Sequence, residues 1–229
     1  MSSPQLVQLL HLCDPALPIG GFSHSAGLET YVQAGLVTDR ATATEFVMQQ
    51  LSQSIFYTDA AFVALAYECS VNNDLKTLLQ LDEECTALKL PREMRQASNK
   101  LGIRLIKLYQ QQIDSEVFTT YAQSIGRQQA FGHYCIVFGI LAAALKIDKL
   151  ETLTGFYYNA ATGFVTNAVK LVPLGQQDGH EMLMELFRLI NDLATKSLHP
   201  DKELIGLCSA GFDIRSMQHE HLYSRLYMS

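Results

Sequence analysis

The chain has 229 residues and a formal net charge of −6, with 48% hydrophobic and 17% charged side chains. This length is enough to bury a sizeable core, and the negative charge argues against nucleic acid as a partner. The five cysteines are scattered and form no Cys-x-x-Cys pair. That pattern argues against a disulfide framework or a structural zinc site, and it favours a reducing compartment.

The distribution of charged and apolar residues predicts a cytoplasmic protein without a membrane span. No Lys or Arg precedes Arg40, so the N-terminal segment lacks the positive region of a signal peptide. The longest uncharged apolar run, residues 134–145, is too short to cross a bilayer and is typical of a buried helix. No stretch has the composition of a linker, so we expect one domain over residues 1–229.

The first informative element is the segment 12–37, where two prolines and paired glycines predict a sharp turn between helices. Ser23 or Ser25 is expected to cap the next helix, and Glu29 suits its first turn. An ordinary interhelical loop accounts for the same pattern. His24 taken alone is more often a surface or cap residue than a metal ligand.

Further along the chain, apolar residues recur with helical periodicity and strand alternation is almost absent. A helix is expected to begin at a cap formed by Thr42 or Thr44. Asp74, Asp114 and Asp148 are expected starts of later helices. The pattern predicts an all-α, single-domain bundle of about nine or ten helices.

Two predicted helices, over residues 128–145 and 152–169, are apolar nearly all round and should lie at the centre of the bundle. Small residues such as Gly139 and Gly163 would let neighbouring backbones approach closely. Gly175 is expected to mark the stop of the second helix.

A basic segment interrupts this acidic chain between Lys89 and Lys107, where Glu93 is the single acidic residue. Four of its basic residues fall roughly on one helical face: Arg92, Lys100, Arg104 and Lys107. Solvation explains such a face, and docking onto an acidic partner is the alternative.

The segment 213–229 has the composition of a partner-docking tail. Its apolar anchors and its arginines, which supply forked donors for carboxylates, are typical of binding hot spots. The residues concerned are Met217, Leu222, Tyr223, Leu226 and Tyr227, with Arg215 and Arg225.

Sequence motifs of catalysis are missing, so we expect that the protein is not an enzyme. The chain has no phosphate-binding P-loop, no G-x-G-x-x-G, no G-x-S-x-G and no H-E-x-x-H. His24, His219 and His221 are weak candidate metal ligands. Side chains at i and i+2, such as His219 and His221, project apart on a helix and cannot chelate one ion there.

Five collinear blocks resemble the urease accessory protein F family, the nickel-insertion chaperones of urease. They run over nearly the whole chain, so the resemblance is specific. The blocks are LPIGGFSHSAGLE (17–29), PREMRQASNKLGIRLIKL (91–108), HYCIVFGILAAALKI (133–147), NAVKLVPLGQ (167–176) and MQHEHLYSRLYMS (217–229).

The resemblance implies a symmetric homodimer that binds a second accessory protein, called D or H, and then recruits the GTPase G to the urease apoprotein. It also implies that nickel passes transiently, with no tightly bound cofactor. Lys170, which would otherwise simply complement a helix C-terminus, and Gln176 would lie where the GTPase engages.

These considerations define the candidate partner-binding residues. They are Pro18, Gly20, Gly21, Phe22, Ser23, His24, Ser25, Gly27, Glu29, Lys170, Gln176, Arg215, His219, Glu220, Tyr223, Ser224, Arg225 and Leu226. Two other functions compete with this one. A helical di-metal protein would need Glu-x-x-His pairs, of which the sequence has none, and a generic helical adaptor would make the five blocks coincidental.

Overall fold

The computed structural model describes residues 3–21, 24–207 and 209–228, and within these ranges it contains helices and no strand. The all-α prediction is confirmed, with eleven α-helices against the nine or ten expected. The helices are α1 (Ser3–Leu12), α2 (Leu28–Gln33), α3 (Arg40–Gln49), α4 (Asp59–Val71), α5 (Leu75–Leu88), α6 (Arg92–Tyr109), α7 (Glu116–Gly126), α8 (Tyr134–Ala144), α9 (Lys149–Leu171), α10 (Gln176–Lys196) and α11 (Ala210–His219). A π-helical turn, Gln50–Ile55, continues α3.

Helix α8 lies at the centre of the bundle, packed on α4, α6, α7 and α9. Every residue from Cys135 to Ala142 is buried, as the uniform apolar pattern predicts. Gly139 is essential to this packing, because a Cβ there would lie 2.5 Å from the carbonyl oxygen of Val63 on α4. The two backbones therefore touch, as the small residue predicts.

The expected start of this central helix at residue 128 is wrong. Helix α7 ends at Gly126, and Gln128 has a positive φ of 61°. The next segment is held out of helical geometry by the buried Asp82 carboxylate, which accepts hydrogen bonds from the backbone N–H groups of Phe131, Gly132 and His133. Helix α8 begins only after these three donors are satisfied.

Helix α9 is the longest helix of the described chain, and the expectation that it is buried all round is wrong on one face. Phe156, Tyr157 and Ala161 are buried, whereas Tyr158 and Gly163 are exposed. A Cβ added at Gly163 would meet nothing within 4 Å, so this glycine does not serve a close approach within the chain.

Some of the predicted helix starts are confirmed and others are wrong. Asp74 and Asp148 cap α5 and α9 as predicted, but α7 is capped by Ser115 rather than Asp114. The expectation that Thr42 or Thr44 caps α3 is wrong, because Asp39 is the cap, Thr42 is its third-residue partner in a capping box, and Thr44 lies inside the helix. Both Asp114 and Thr42 lie close to the true cap in sequence, which is the usual error of such predictions.

Two further boundary predictions are wrong. Gly175 does not stop α9, which ends at Leu171; it is the N-cap of α10. Helix α2 starts after Gly27, with no side-chain cap, so Ser25 does not cap it. Ser23 lies outside the described residues. Among the helices that the structure describes, none is both long and apolar enough to cross a membrane.

Candidate functional site

Residues 18–21 and 24–27, here called the glycine loop, are held against the bundle. The Arg104 side chain on α6 donates a hydrogen bond to the carbonyl oxygen of Ile19 (2.9 Å). Asn167 on α9 donates to the carbonyl oxygen of His24 (2.8 Å). Side chains of α6 and α9, which are far away in the sequence, therefore hold the loop by its backbone carbonyl groups.

Two glycines of this loop have positive φ and lie in close contact with side chains. At Gly20, with φ +83°, a Cβ would collide with the guanidinium of Arg104. At Gly27, with φ +82°, a Cβ would lie 2.7 Å from the hydroxyl of Ser216 on α11. Both positions therefore favour glycine for conformation, and a side chain at Gly20 would also displace the Arg104 guanidinium.

The predicted docking segment 213–229 is helical up to His219, within α11, and the residues after it, 220–228, are here called the tail. The tail is fastened at the start of α2 by Glu29, a carboxylate with only 4% of the residue exposed. One carboxylate oxygen accepts a hydrogen bond from the backbone N–H of Leu226 (2.7 Å), and the other accepts one from that of Tyr227 (3.2 Å). The side chain thus takes two donors from a segment nearly two hundred positions away in the sequence. Unpaired backbone donors would be costly to bury, so these bonds fix the course of the tail.

Three further side chains complete this arrangement. The buried imidazole of His219 lies between two carboxylates, with Nε2 3.2 Å from Glu29 Oε2 and Nδ1 2.7 Å from Glu93 Oε2. Arg225 donates from Nη1 to the second oxygen of Glu93 (2.8 Å). We call Glu29, Glu93, His219 and Arg225 the tail clasp. It joins α2, the first turn of α6, the end of α11 and the tail.

Two exposed contacts support the clasp on either side. Arg92 on α6 pairs with Glu220 (2.6 Å), and Gln33 on α2 donates to the carbonyl oxygen of Ser224 (3.0 Å). Exposed ion pairs contribute little free energy alone. Their role here is to align the segment from Glu220 to Ser224 with the two helices.

The clasp leaves an apolar ridge in solvent. Tyr223 is fully exposed, and Leu226 and Met228 are 69% and 57% exposed, although the intervening Tyr227 is buried. We call Tyr223, Leu226 and Met228 the tail ridge. Large apolar side chains held in water next to an arginine are typical of a docking site.

The basic face of α6 runs beside the glycine loop. Arg92, Lys100, Arg104 and Lys107 are all exposed, as the helical spacing predicts. Burial lowers the pKa of the half-buried His24, and the positive charges of Lys100 and Arg104 lower it further, against a smaller opposing effect of Glu93. The hydrogen bond from Arg104 to Ile19 places this part of the basic face against the loop.

The remaining predicted residues are distributed around these features. Pro18 and Gly21 are exposed and Ser25 is fully buried, while Phe22 and Ser23 lie outside the described residues. Arg215 on α11 donates to the side chain of Gln218 (3.2 Å).

Lys170 and Gln176 are exposed at the turn between α9 and α10. Lys170 follows Asn167 by one helical turn, so this surface adjoins the helix end that binds the glycine loop.

The histidines proposed as metal ligands are not brought together. Both ring nitrogens of His219 face carboxylates, so an ion would have to displace one of them. His221 is exposed and His24 belongs to the glycine loop. Within the three described ranges, no group of three or more His, Cys, Asp or Glu residues is arranged to hold a metal ion.

Sequence reasoning missed Glu93 and Asn167, whose contacts build the surface. Glu93 carried a signal, because it is the single acidic residue of the basic segment. Asn167 opens a block that was singled out, but its bond to a backbone carbonyl has no signature in sequence.

The sequence of this chain matches a known protein family and several of its named members. The UreF family model matches residues 37–187, from the residues before α3 into α10. A protein of Actinobacillus pleuropneumoniae serotype 5b, named Urease accessory protein UreF, is 49% identical over 98% of this chain and 99% of its own length. The chain belongs to the UreF family.

Other relatives extend the match to the parts that the family model leaves out. The Haemophilus influenzae Rd protein of the same name is 45% identical over 100% of this chain and 97% of its own length. A relative from Bacillus sp. strain TB-90, also named Urease accessory protein UreF, is 36% identical over 98% of this chain. The glycine loop and the tail therefore lie inside the region shared with UreF relatives.

Proposed function

We propose that this chain is a chaperone of urease maturation and not itself an enzyme. Membership of the UreF family, whose relatives are named urease accessory proteins, supports this function. The observation that carries it is the tail clasp, which holds an apolar ridge in solvent beside the glycine loop. A protein that only needed to fold would gain little from ordering a segment in which Tyr223, Leu226 and Met228 remain in water.

The tail ridge would bind the D/H accessory protein. Tyr223 and Leu226 supply apolar anchors, and the guanidinium of Arg225 keeps donors beyond the one that pairs with Glu93. Because the clasp already orders the tail, less conformational entropy is lost on docking than for a free segment.

The turn between α9 and α10, with Lys170 and Gln176, would recruit the GTPase G. Its proximity to the helix end that fastens the glycine loop makes one continuous surface of the two. The assembled complex would then couple GTP hydrolysis by G to insertion of nickel into apo-urease. Nickel is the cargo of this process and would contact the chain only transiently, in the cytoplasm.

The active species would be a homodimer. Helices α9 and α10 carry an exposed apolar face on which the rings of Tyr158 and Phe187 lie 6.4 Å apart, and Met184 is 52% exposed. A second copy covering this face would remove these side chains from water. Light scattering should give about twice the chain mass of 25.5 kDa, and Phe187→Glu should give the monomer.

Co-purification tests the partner assignments. The full chain, co-expressed with the D/H protein and the GTPase, should capture both and should activate urease in cells that hold all accessory proteins. Removing residues 222–229 should leave a helical protein that no longer captures the D/H protein. Leu207→Ala, at an exposed apolar residue outside the clasp and the ridge, is the matched control and should capture both.

Incubation of the purified chain with GTP or ATP tests the non-enzymatic assignment. We expect no hydrolysis above background. Hydrolysis that co-purifies with the chain and is lost on a single substitution would overturn the non-enzymatic assignment.

In the co-purification experiment, retained capture of the D/H protein after removal of 222–229 would show that this partner binds another surface.

A further inference from the structure

Two cysteines on different helices lie in direct contact inside the core. Cys85, in the last turn of α5, and Cys135, at the start of α8, have their sulfur atoms 3.7 Å apart. Neither residue has any solvent exposure. The other described cysteines, Cys13 and Cys69, are also buried but have no second described sulfur at this distance.

The surroundings of this pair favour ionisation of one thiol. The Lys89 ammonium, one turn beyond Cys85, lies 2.7 and 2.8 Å from the two carboxylate oxygens of Asp59. Burial alone would raise the pKa of Cys85, but the hydrogen bond with Cys135 and the nearby charge of Lys89 act against burial and lower it. Burial and the hydrogen bond to Cys85 raise the pKa of Cys135 well above its ordinary value.

A thiolate in contact with a thiol is the arrangement from which a disulfide forms. The sulfur atoms would have to close from contact distance to about 2.05 Å, which needs side-chain rotation and a small approach of the two helices. Since the pair is enclosed, the reaction depends on openings of the core that admit a molecule as small as a peroxide.

We propose that Cys85 and Cys135 form an oxidisable dithiol, which hydrogen peroxide converts into a disulfide that joins α5 to α8. The Cys85 thiolate attacks one peroxide oxygen, the O–O bond breaks, and the departing hydroxide takes up the proton that Cys85 released. Cys135 then attacks the resulting sulfenic sulfur, and the S–O bond breaks with loss of water. Two sulfurs together supply two electrons, and one peroxide becomes two waters.

The disulfide would close the segment 86–134, which includes α6 and therefore Glu93 of the tail clasp. Oxidation would thus stiffen the platform on which the tail rests, without adding a group to the surface. This inference does not depend on the proposed function.

Peptide mapping of the full chain tests the proposal. The reduced protein is treated with hydrogen peroxide, quenched with an alkylating reagent and digested. We expect a cross-linked peptide pair containing Cys85 and Cys135, a mass loss of about 2 Da before alkylation, and full reversal by dithiothreitol. Cys135→Ala should abolish the cross-link and leave Cys85 as a sulfenic acid that dimedone traps.

The double variant Cys13→Ser, Cys69→Ser is the matched control and should keep the cross-link. If Cys135→Ala loses its helical circular dichroism, Cys135→Ser replaces it, and the wild-type peptide map still decides. Oxidation confined to the other cysteines, or Cys85 oxidised in the wild type without the cross-link, would overturn the proposal.

Discussion

Asp82 and Glu29 are both buried carboxylates that accept backbone hydrogen bonds, yet they hold very different segments. Asp82 on α5 binds the Tyr121 hydroxyl (2.6 Å) and three consecutive N–H groups ahead of α8, all inside the core. Glu29 binds two N–H groups of a tail whose neighbouring side chains are in water. The same chemistry therefore fixes the core in one place and presents a surface in the other.

The largest expected effect is at the core site. Asp82→Ala leaves three N–H groups and one hydroxyl without their acceptor, and we expect the free energy of unfolding to fall by about 3 kcal/mol or more. Asp82→Asn retains one acceptor oxygen and should lose less. Urea denaturation measures both. A loss below about 1 kcal/mol for the alanine variant would show that the hydrogen bonds of Asp82 do not fix the core.

The same change at the tail site should separate stability from binding. Glu29→Ala frees the N–H groups of Leu226 and Tyr227 to bind water once the tail opens, so we expect the free energy of unfolding to fall by only about 1 to 2 kcal/mol. Limited proteolysis should now cut near residue 225, and capture of the D/H protein should weaken at least about tenfold.

Glu29→Gln is the control for charge, since its amide oxygen still accepts from Leu226. It should protect the tail from proteolysis more than alanine does. A Glu29→Ala protein with a protected tail and full capture would contradict the presenting role of this carboxylate.

The ridge should show an effect on binding alone. Tyr223 has no buried surface in the chain, so Tyr223→Ala should change the free energy of unfolding by less than about 0.5 kcal/mol. It should weaken capture of the D/H protein by about 1 to 2 kcal/mol in a titration. A destabilised variant would mean that the ridge belongs to the fold.

The smallest effect is expected at His24, whose pKa is lowered first by burial and then by Lys100 and Arg104. Because the folded state favours the neutral ring, its contribution to stability is complete above the unfolded pKa of about 6.5 and declines as pH falls below that value. His24→Gln should therefore gain stability relative to wild type at pH 5.5 but not at pH 7.5. Equal differences at both pH values would show that His24 does not titrate differently in the folded chain.

The sequence predicted those features that local chemistry determines. Apolar periodicity predicted α8 as a core helix, and short-range side-chain bonds made Asp74 and Asp148 recognisable as caps. The start of α8 was missed because Asp82, about fifty positions earlier, binds the N–H groups of residues 131–133 and keeps them out of the helix, with Gly132 at a positive φ of 76°.

In the candidate surface, too, local features were predictable and contacts between distant residues were not. Composition identified the glycine loop and the tail separately, and Glu29 was singled out as suited to the first turn of the next helix. Nothing local indicated that Glu29 binds residues 226 and 227, since no spacing rule connects positions so far apart. Contacts of this kind become visible only when the helices between them are placed.

The bond between Glu29 and the tail also bears on synthesis of the chain. The ribosome makes α2 long before residue 227, so the Glu29 carboxylate must wait through most of translation without the two amides that it will bind. A product released before residue 226 would lack both amides and the exposed side chains of Leu226 and Met228. If the tail binds the D/H protein as proposed, such a product would not compete with the complete chain for this partner.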